Sequence, residues 1–206
     1  GFRTPVALND SGFGFATQFG ADGPAGTDVP VLDYAAYGPE EGVVLHLPEE
    51  VGALSSYTAV WDIRVDGLPG FQSLLQTDLA NETDGELFIR SDGGIGINGN
   101  YDGAVAPGQW HRIAITVEDR GDGTATLSKY LDGAFLDAQT VDAARFTLQS
   151  TGFALLTDDG FETSTGQLAH FGLKAGVLGA DAIADLGGAD AAGPFAADDP
   201  APTPLP

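Results

Sequence analysis

The apolar positions of this chain recur every second residue over short runs, the period of strands with one buried face. The clearest run is Tyr57–Val65, in which Tyr57, Ala59, Trp61, Ile63 and Val65 share one face. Thr58, Val60, Asp62 and Arg64 share the other, mostly polar, face, which predicts a half-buried antiparallel strand. Asp66-Gly67 and Pro69-Gly70 stop it. Further runs occupy 71–77, 85–90, 95–97, 110–118, 124–131, 134–141, 153–157 and 166–174. Asp122-Gly123 and Asp132-Gly133 separate three of them as hairpin turns. Residues 43–47, ended by Pro48, read as another strand, and Phe13, Phe15 and Phe19 suggest an edge strand in the glycine-rich first 40 residues. Turn signals every 8–12 residues or so are the mark of a β-sandwich or barrel. Strands do not alternate with long helices, which argues against a parallel α/β fold. One short helix is expected at Ala180–Leu186, with Asp181 in its first turn and Gly187-Gly188 to end it, following the last strand as a cap on the sandwich end.

Residues 1–190 therefore read as one all-β domain. Residues 191–206 are rich in Ala, Pro and Asp and read as an extended linker. That tail predicts a module from a longer multidomain protein, monomeric as an isolated piece, and the absence of Met from the 206 residues predicts a start inside a longer precursor or at a cleaved end. The chain is 43% hydrophobic, enough for a packed core. The absence of Cys removes disulfides, thiolate nucleophiles and thiolate metal ligands. Eight basic residues stand against 30 acidic ones, a formal charge of −22. Such a surface repels nucleic acid and anionic lipid. With no long apolar run, membrane insertion is not expected either. Most of the acids read as solvated surface.

Several stretches taken in order, Tyr57-Thr58-Ala59-Val60-Trp61-Asp62, Ser73-Leu74-Leu75-Gln76-Thr77-Asp78, Gly93-Gly94-Ile95-Gly96-Ile97, Trp110-His111-Arg112-Ile113-Ala114 and Lys129-Tyr130-Leu131-Asp132-Gly133, resemble bacterial laminin G-like domains of the concanavalin A-like superfamily. The tail from Gly166 to Phe171, followed by the short helix, is similar to this family too, so the resemblance covers roughly residues 10 to 190. It implies a jelly-roll sandwich of two antiparallel sheets. It also implies binding of polysaccharide, cell-surface glycan or protein, often with calcium, in secreted or cell-surface bacterial proteins. Such modules are commonly appended to hydrolases, phosphoesterases or adhesins.

Catalysis is poorly provided for. Glycosidases of the same superfamily need two carboxylates on one strand facing the substrate, a Glu-x-Asp-x-x-Glu pattern, about 5–5.5 Å apart for a retaining mechanism. No such run occurs, and the pairs Glu40-Glu41 and Glu49-Glu50 sit in loops beside Pro39 and Pro48. His46, His111 and His170 accompany no nucleophile elbow, and His111 reads as a packed, hydrogen-bonded structural residue. The expectation is a non-catalytic module.

Metal chemistry has better candidates. Asp78, Asn81, Asp84 and Glu86 fall in one short loop, and Asp158, Asp159 and Glu162 in another. Calcium takes six to eight oxygens of these kinds at about 2.3–2.6 Å. Solvated loops built on Asx turns are the alternative. For sugar, Tyr101 is the best contact candidate, beside Asn98, Asn100 and Asp102; the alternative is a hairpin loop whose Tyr anchors its stem. Tyr34 and Tyr37 are further candidates for exposed rings, whereas Trp61 and Trp110 share faces with apolar residues and belong to the core. A carbohydrate-binding module, a protein-binding or adhesion module and a structural spacer all fit.

Overall fold

A computed structural model describes residues 31–195, together with residues 6–7, 14–15, 23–26 and 29. Fourteen strands and two short helices follow one another in it: β1 (Val6–Ala7), β2 (Gly14–Phe15), β3 (Leu32–Tyr34), β4 (Val43–Leu45), β5 (Tyr57–Val65), β6 (Gln72–Leu75), β7 (Leu87–Ile89), β8 (Ile95–Ile97), β9 (Asn100–Asp102), β10 (His111–Asp119), β11 (Thr124–Leu131), β12 (Ala134–Asp142), α1 (Ala143–Phe146), β13 (Phe153–Leu155), β14 (Gly166–Ala175) and α2 (Ala180–Leu186).

One layer is a seven-stranded sheet in the order β12-β11-β10-β5-β14-β3-β2. The other is built from two smaller sheets, β6-β7-β8-β9 and β1-β4-β13. Gln76 and Ala154 exchange two backbone hydrogen bonds, 2.9 and 2.7 Å, and so join the two small sheets end to end. All pairings are antiparallel. The core lies between the layers: Tyr57, Trp61 and Ile63 of β5 and Ile113 and Ile115 of β10 meet Leu74, Leu87, Ile89, Ile95 and Ile97 of the four-stranded sheet. The chain is an all-β sandwich, as its alternation predicts. Trp61 is fully buried, but Trp110 is only half-buried just ahead of β10 and is not a core residue.

The second face of β5 differs from the prediction. Thr58, Val60 and Asp62 are fully buried. The reason is α2, which packs on the outer face of the seven-stranded sheet rather than capping the end of the sandwich. Ile183 of α2, with Leu178, Leu186 and Phe195 beside it, covers Val60, Ala114 and Tyr130. The packed chain continues along this face to Phe195, whose ring a side chain at Gly172 would strike. Under the helix, Arg112 and Asp62 form a bidentate ion pair at 2.7 and 2.8 Å, and both are buried.

Candidate functional site

The outer face of the four-stranded sheet is shaped by one register. Phe88 of β7, Gly96 of β8 and Tyr101 of β9 lie directly abreast. Their neighbours along the strands, Leu87, Ile89, Ile95 and Ile97, point into the core, so alternation sends Phe88 and Tyr101 outward. Gly96 between them carries no side chain, and a Cβ there would lie 1.8 Å from the Asn100 carbonyl oxygen. The close approach of β9 to β8 requires glycine. Phe71, just before β6, fills in above, its ring 5.9 Å from Phe88 and 5.8 Å from Tyr101. Phe88 is 2% exposed and forms the floor, while Phe71 and Tyr101 are half-buried. Asn98 and Gly99 form the turn between β8 and β9, with φ of 53° and 82°, the pattern of a type I′ turn.

These residues line an open cleft of about 380 Å³. Arg90 lies on one side, its guanidinium 4.8 Å from the centre of the Tyr101 ring. It is paired with Asp92 through two hydrogen bonds of 3.0 and 2.5 Å. That pairing lowers the Asp92 carboxyl to about 2. Asp84 and Glu162 line the cleft as well. Burial, with the charges of Asp84 and Glu162, raises the Tyr101 hydroxyl above its ordinary value.

Asp84 and Glu162 come from two loops that the fold brings together. The Gly85 N–H donates to Asp158 Oδ1 at 2.9 Å and the Ser73 N–H to the Glu162 carbonyl at 2.8 Å. Asp158 is fully buried, and its Oδ2 accepts from the Gly160 N–H at 2.9 Å. Carboxylate oxygens of Asp84, Asp158 and Asp159 lie within 4.8 Å of one another. Burial, then the charges of Asp158 and Asp84, push the Glu162 carboxyl up to about 7. Asp159 is raised too, by burial and by Asp158. At the tip of the same loop Phe161 holds a left-handed φ of 61° and is 71% exposed.

The other predicted metal ligands face elsewhere. Asn81 is buried; its Oδ1 accepts from Gln76 Nε2 at 2.9 Å and its Nδ2 donates to the Pro39 carbonyl at 2.7 Å. Asp78 closes an Asx turn on the Ala80 N–H. Glu86 is buried and raised to about 7 by that burial, against the Thr77 N–H and the Arg145 guanidinium, which it accepts at 2.6 and 3.2 Å. These three side chains hold their loop together.

Strand alternation likewise divides the predicted sugar contacts. Tyr101 and Asn98 line the cleft, whereas Asn100 and Asp102 face the opposite sheet. There Lys129, fully buried on β11, donates to the Asn100 carbonyl at 3.1 Å, to Asn100 Oδ1 and to Asp102 Oδ2 at 2.7 Å. Asn100 also donates to Asp137 of β12 at 3.0 Å. Asn100–Asp102 is thus a strand rather than a loop, and its polar residues staple the two layers. Tyr34 and Tyr37 are buried, not exposed.

His111 packs as expected: the Ala106 N–H donates to its Nε2 at 3.1 Å, which leaves the proton on Nδ1 for Asp132 Oδ2 at 2.7 Å. The cleft residues absent from the sequence reading are Phe71, Phe88 and Arg90. Outward alternation along Leu87–Ile89, and the Asn98-Gly99 dipeptide as a hairpin turn, were the available signals.

The sequence matches no family model and no curated relative. The fold matches solved β-sandwich domains. One is the carbohydrate-binding module (CBM40) of a Ruminococcus gnavus IT-sialidase bound to α2,3-sialyllactose, at 17% identity and a TM-score of 0.51, covering 77% of this chain and 96% of that one. Another is domain 4 of AbnA, a GH43 extracellular arabinanase from Geobacillus stearothermophilus, in complex with arabinotriose, at 17% identity and a TM-score of 0.59, over 90% and 89%. A third is the binding domain of Paraclostridial Mosquitocidal Protein 1, at 12% identity and a TM-score of 0.59. There the match spans 88% of this chain and 47% of the longer domain. Among the described residues no helix is long and apolar enough to cross a membrane.

Proposed function

We propose that this chain is a non-catalytic glycan-binding module of the laminin G-like, concanavalin A-like type, working outside the cell as part of a larger protein. The observation that carries the proposal is the cleft, where half-buried Phe71 and Tyr101 stand beside Asn98, Arg90, Asp84 and Glu162. Sugar recognition needs that combination: an apolar ring face for the C–H side of a pyranose or furanose, and fixed polar groups for its hydroxyls. The sandwich neighbours that bind sialyllactose and arabinotriose support the reading at the level of fold. The test is retention of the purified chain on immobilised polysaccharides. Binding is expected for one polysaccharide class, with Tyr101→Ala weakening it at a temperature where the variant remains folded. Absence of binding to every polysaccharide would leave a protein-binding or spacer module.

Calcium is part of the proposal. Two oxygens on one calcium ion lie up to about 5 Å apart, and the 4.8 Å limit among Asp84, Asp158 and Asp159 fits that span. Glu162 would complete the set on the cleft side. A cation there would offset the mutual repulsion of these carboxylates and fix the wall of the cleft. Millimolar calcium added after chelation is expected to raise the thermal midpoint, since binding to the native state alone stabilises it. Asp158→Asn should cancel the rise. An unchanged midpoint in the parent chain would exclude the ion.

A further inference from the structure

The cleft holds more negative charge than sugar hydroxyls call for. Arg90 is the one cationic side chain among its lining residues. Its charge is already answered by Asp92 through two hydrogen bonds, and its face is laid against Tyr101. Asp84 has no cation as close: Arg145 lies 3.9 Å away, the Asp84 side chain is 60% exposed, and its carboxyl shares a hydrogen bond with Glu162. Glu162 faces the same space, with Asp158 and Asp159 behind it. The whole chain carries −22. A uronic or sialic acid entering this space would meet carboxylates on one wall and a spent guanidinium on the other. In the calcium-free chain a neutral sugar would leave the wall uncompensated.

We infer that the cleft selects glycans bearing free primary amines, that is, amino sugars without their acetyl groups. An ammonium is the sugar substituent that answers the acidic wall. It donates up to three hydrogen bonds to Asp84 and Glu162, displacing the proton that Glu162 keeps below about 7. It lies favourably against the Phe71 ring. It also neutralises charge in a partly desolvated space, where attraction is stronger than in open water. The Asn98 side chain at the rim remains for a ring hydroxyl. The inference rests on the glycan-binding reading above and adds the substrate class.

The experiment titrates the full chain in chelator, so that calcium does not occupy Asp84 and Glu162, at low salt and mildly acidic pH with four probes of matched length: a deacetylated chito-oligosaccharide, its fully acetylated counterpart, an oligogalacturonate and an oligolysine. The deacetylated sugar is expected to bind at least about tenfold more tightly than the acetylated one, a difference of about 1.4 kcal/mol. The oligogalacturonate is expected to give no detectable binding. Asp84→Asn with Glu162→Gln should erase the preference for the amine. Tyr101→Ala should weaken both chito-oligosaccharides, which separates the sugar platform from the charge. Equal binding of the acetylated sugar, or binding of the oligogalacturonate, would overturn the amine inference while leaving a glycan-binding module. Oligolysine binding as tightly as the amino sugar would overturn it as well, since charge alone would then account for the result. Failure of all three sugars would overturn the amine inference; the glycan-binding reading falls only if no immobilised polysaccharide retains the chain.

Discussion

Asp62 and Arg112 show how one residue pair can hold a whole face. Both are buried, and Arg112 spreads its donors over both Asp62 oxygens, the Leu186 carbonyl at the end of α2 and Asp190 at 3.4 Å. His170 adds a third group, with Nδ1 3.0 Å from Asp62 Oδ2. A buried pair of this kind contributes little over an apolar pair of the same shape, but losing one partner strands a charge. Arg112→Met is therefore expected to cost about 3–5 kcal/mol in urea denaturation. Asp62→Leu combined with Arg112→Met should recover most of that loss. A double variant as weak as the single one would show that packing, not the stranded charge, carries the cost. Nothing in the strand pattern marks Asp62 for this role: at an alternate position on Tyr57–Val65 it reads as a solvated acid. Its partner lies 50 positions away on another strand, a separation that alternation does not report.

At the level of elements, period-two alternation located most of the strands, and the boundaries of Tyr57–Val65, Ile95–Ile97, Thr124–Leu131 and Ala180–Leu186 coincide with those read from the chain. The Asp132-Gly133 turn is present as expected, with φ of 50° and 82°. The short, polar strand β9 was not legible, because Asn100 and Asp102 look like loop residues until Lys129 is seen beneath them. Nor was the double burial of β5, since α2, its cover, lies more than a hundred positions downstream. The β8–β9 hairpin is the element on which the cleft depends. Gly96→Ala would press a methyl into the backbone of Asn100 and push β9 outward, an overpacking cost of about 1–3 kcal/mol or more. Gly99→Ala meets no atom within 4 Å and strains only its φ of 82°, about 1–2 kcal/mol. Both variants should unfold at lower urea. Gly96→Ala is the one expected to lose glycan affinity, because Tyr101 moves with β9. Equal loss of affinity in the two would mean that the turn, not the spacing of β8 and β9, positions the ring.

Across the whole molecule, the sandwich joins loops that are remote in sequence: Gly85 and Asp158 are 73 positions apart and share a hydrogen bond. The sequence shows two acidic loops, but not that Asp84, Asp158, Asp159 and Glu162 end up together while Asn81 and Glu86 turn to protein partners. This arrangement sets the pH response. Glu86 and Glu162 are raised from an ordinary 4.5 to about 7. Between those values the folded chain keeps protons that the unfolded chain has released, so stability falls as pH rises through the window and levels off above it. Asp92, lowered to about 2, acts in the opposite sense below its ordinary 3.8, and Asp122, Asp132 and Asp137 are lowered as well. Stability is therefore expected to peak on the acidic side, near the foot of the upper window, rather than at neutral pH. Urea midpoints measured across that range should decline toward pH 7, less steeply in Glu162→Gln. High salt should also flatten the decline by screening the exposed carboxylates within about 10 Å. Calcium should flatten it too, at concentrations far too low to screen, if the carboxylates of the two loops hold the ion. A calcium response seen only at screening concentrations would assign the effect to the −22 surface as a whole.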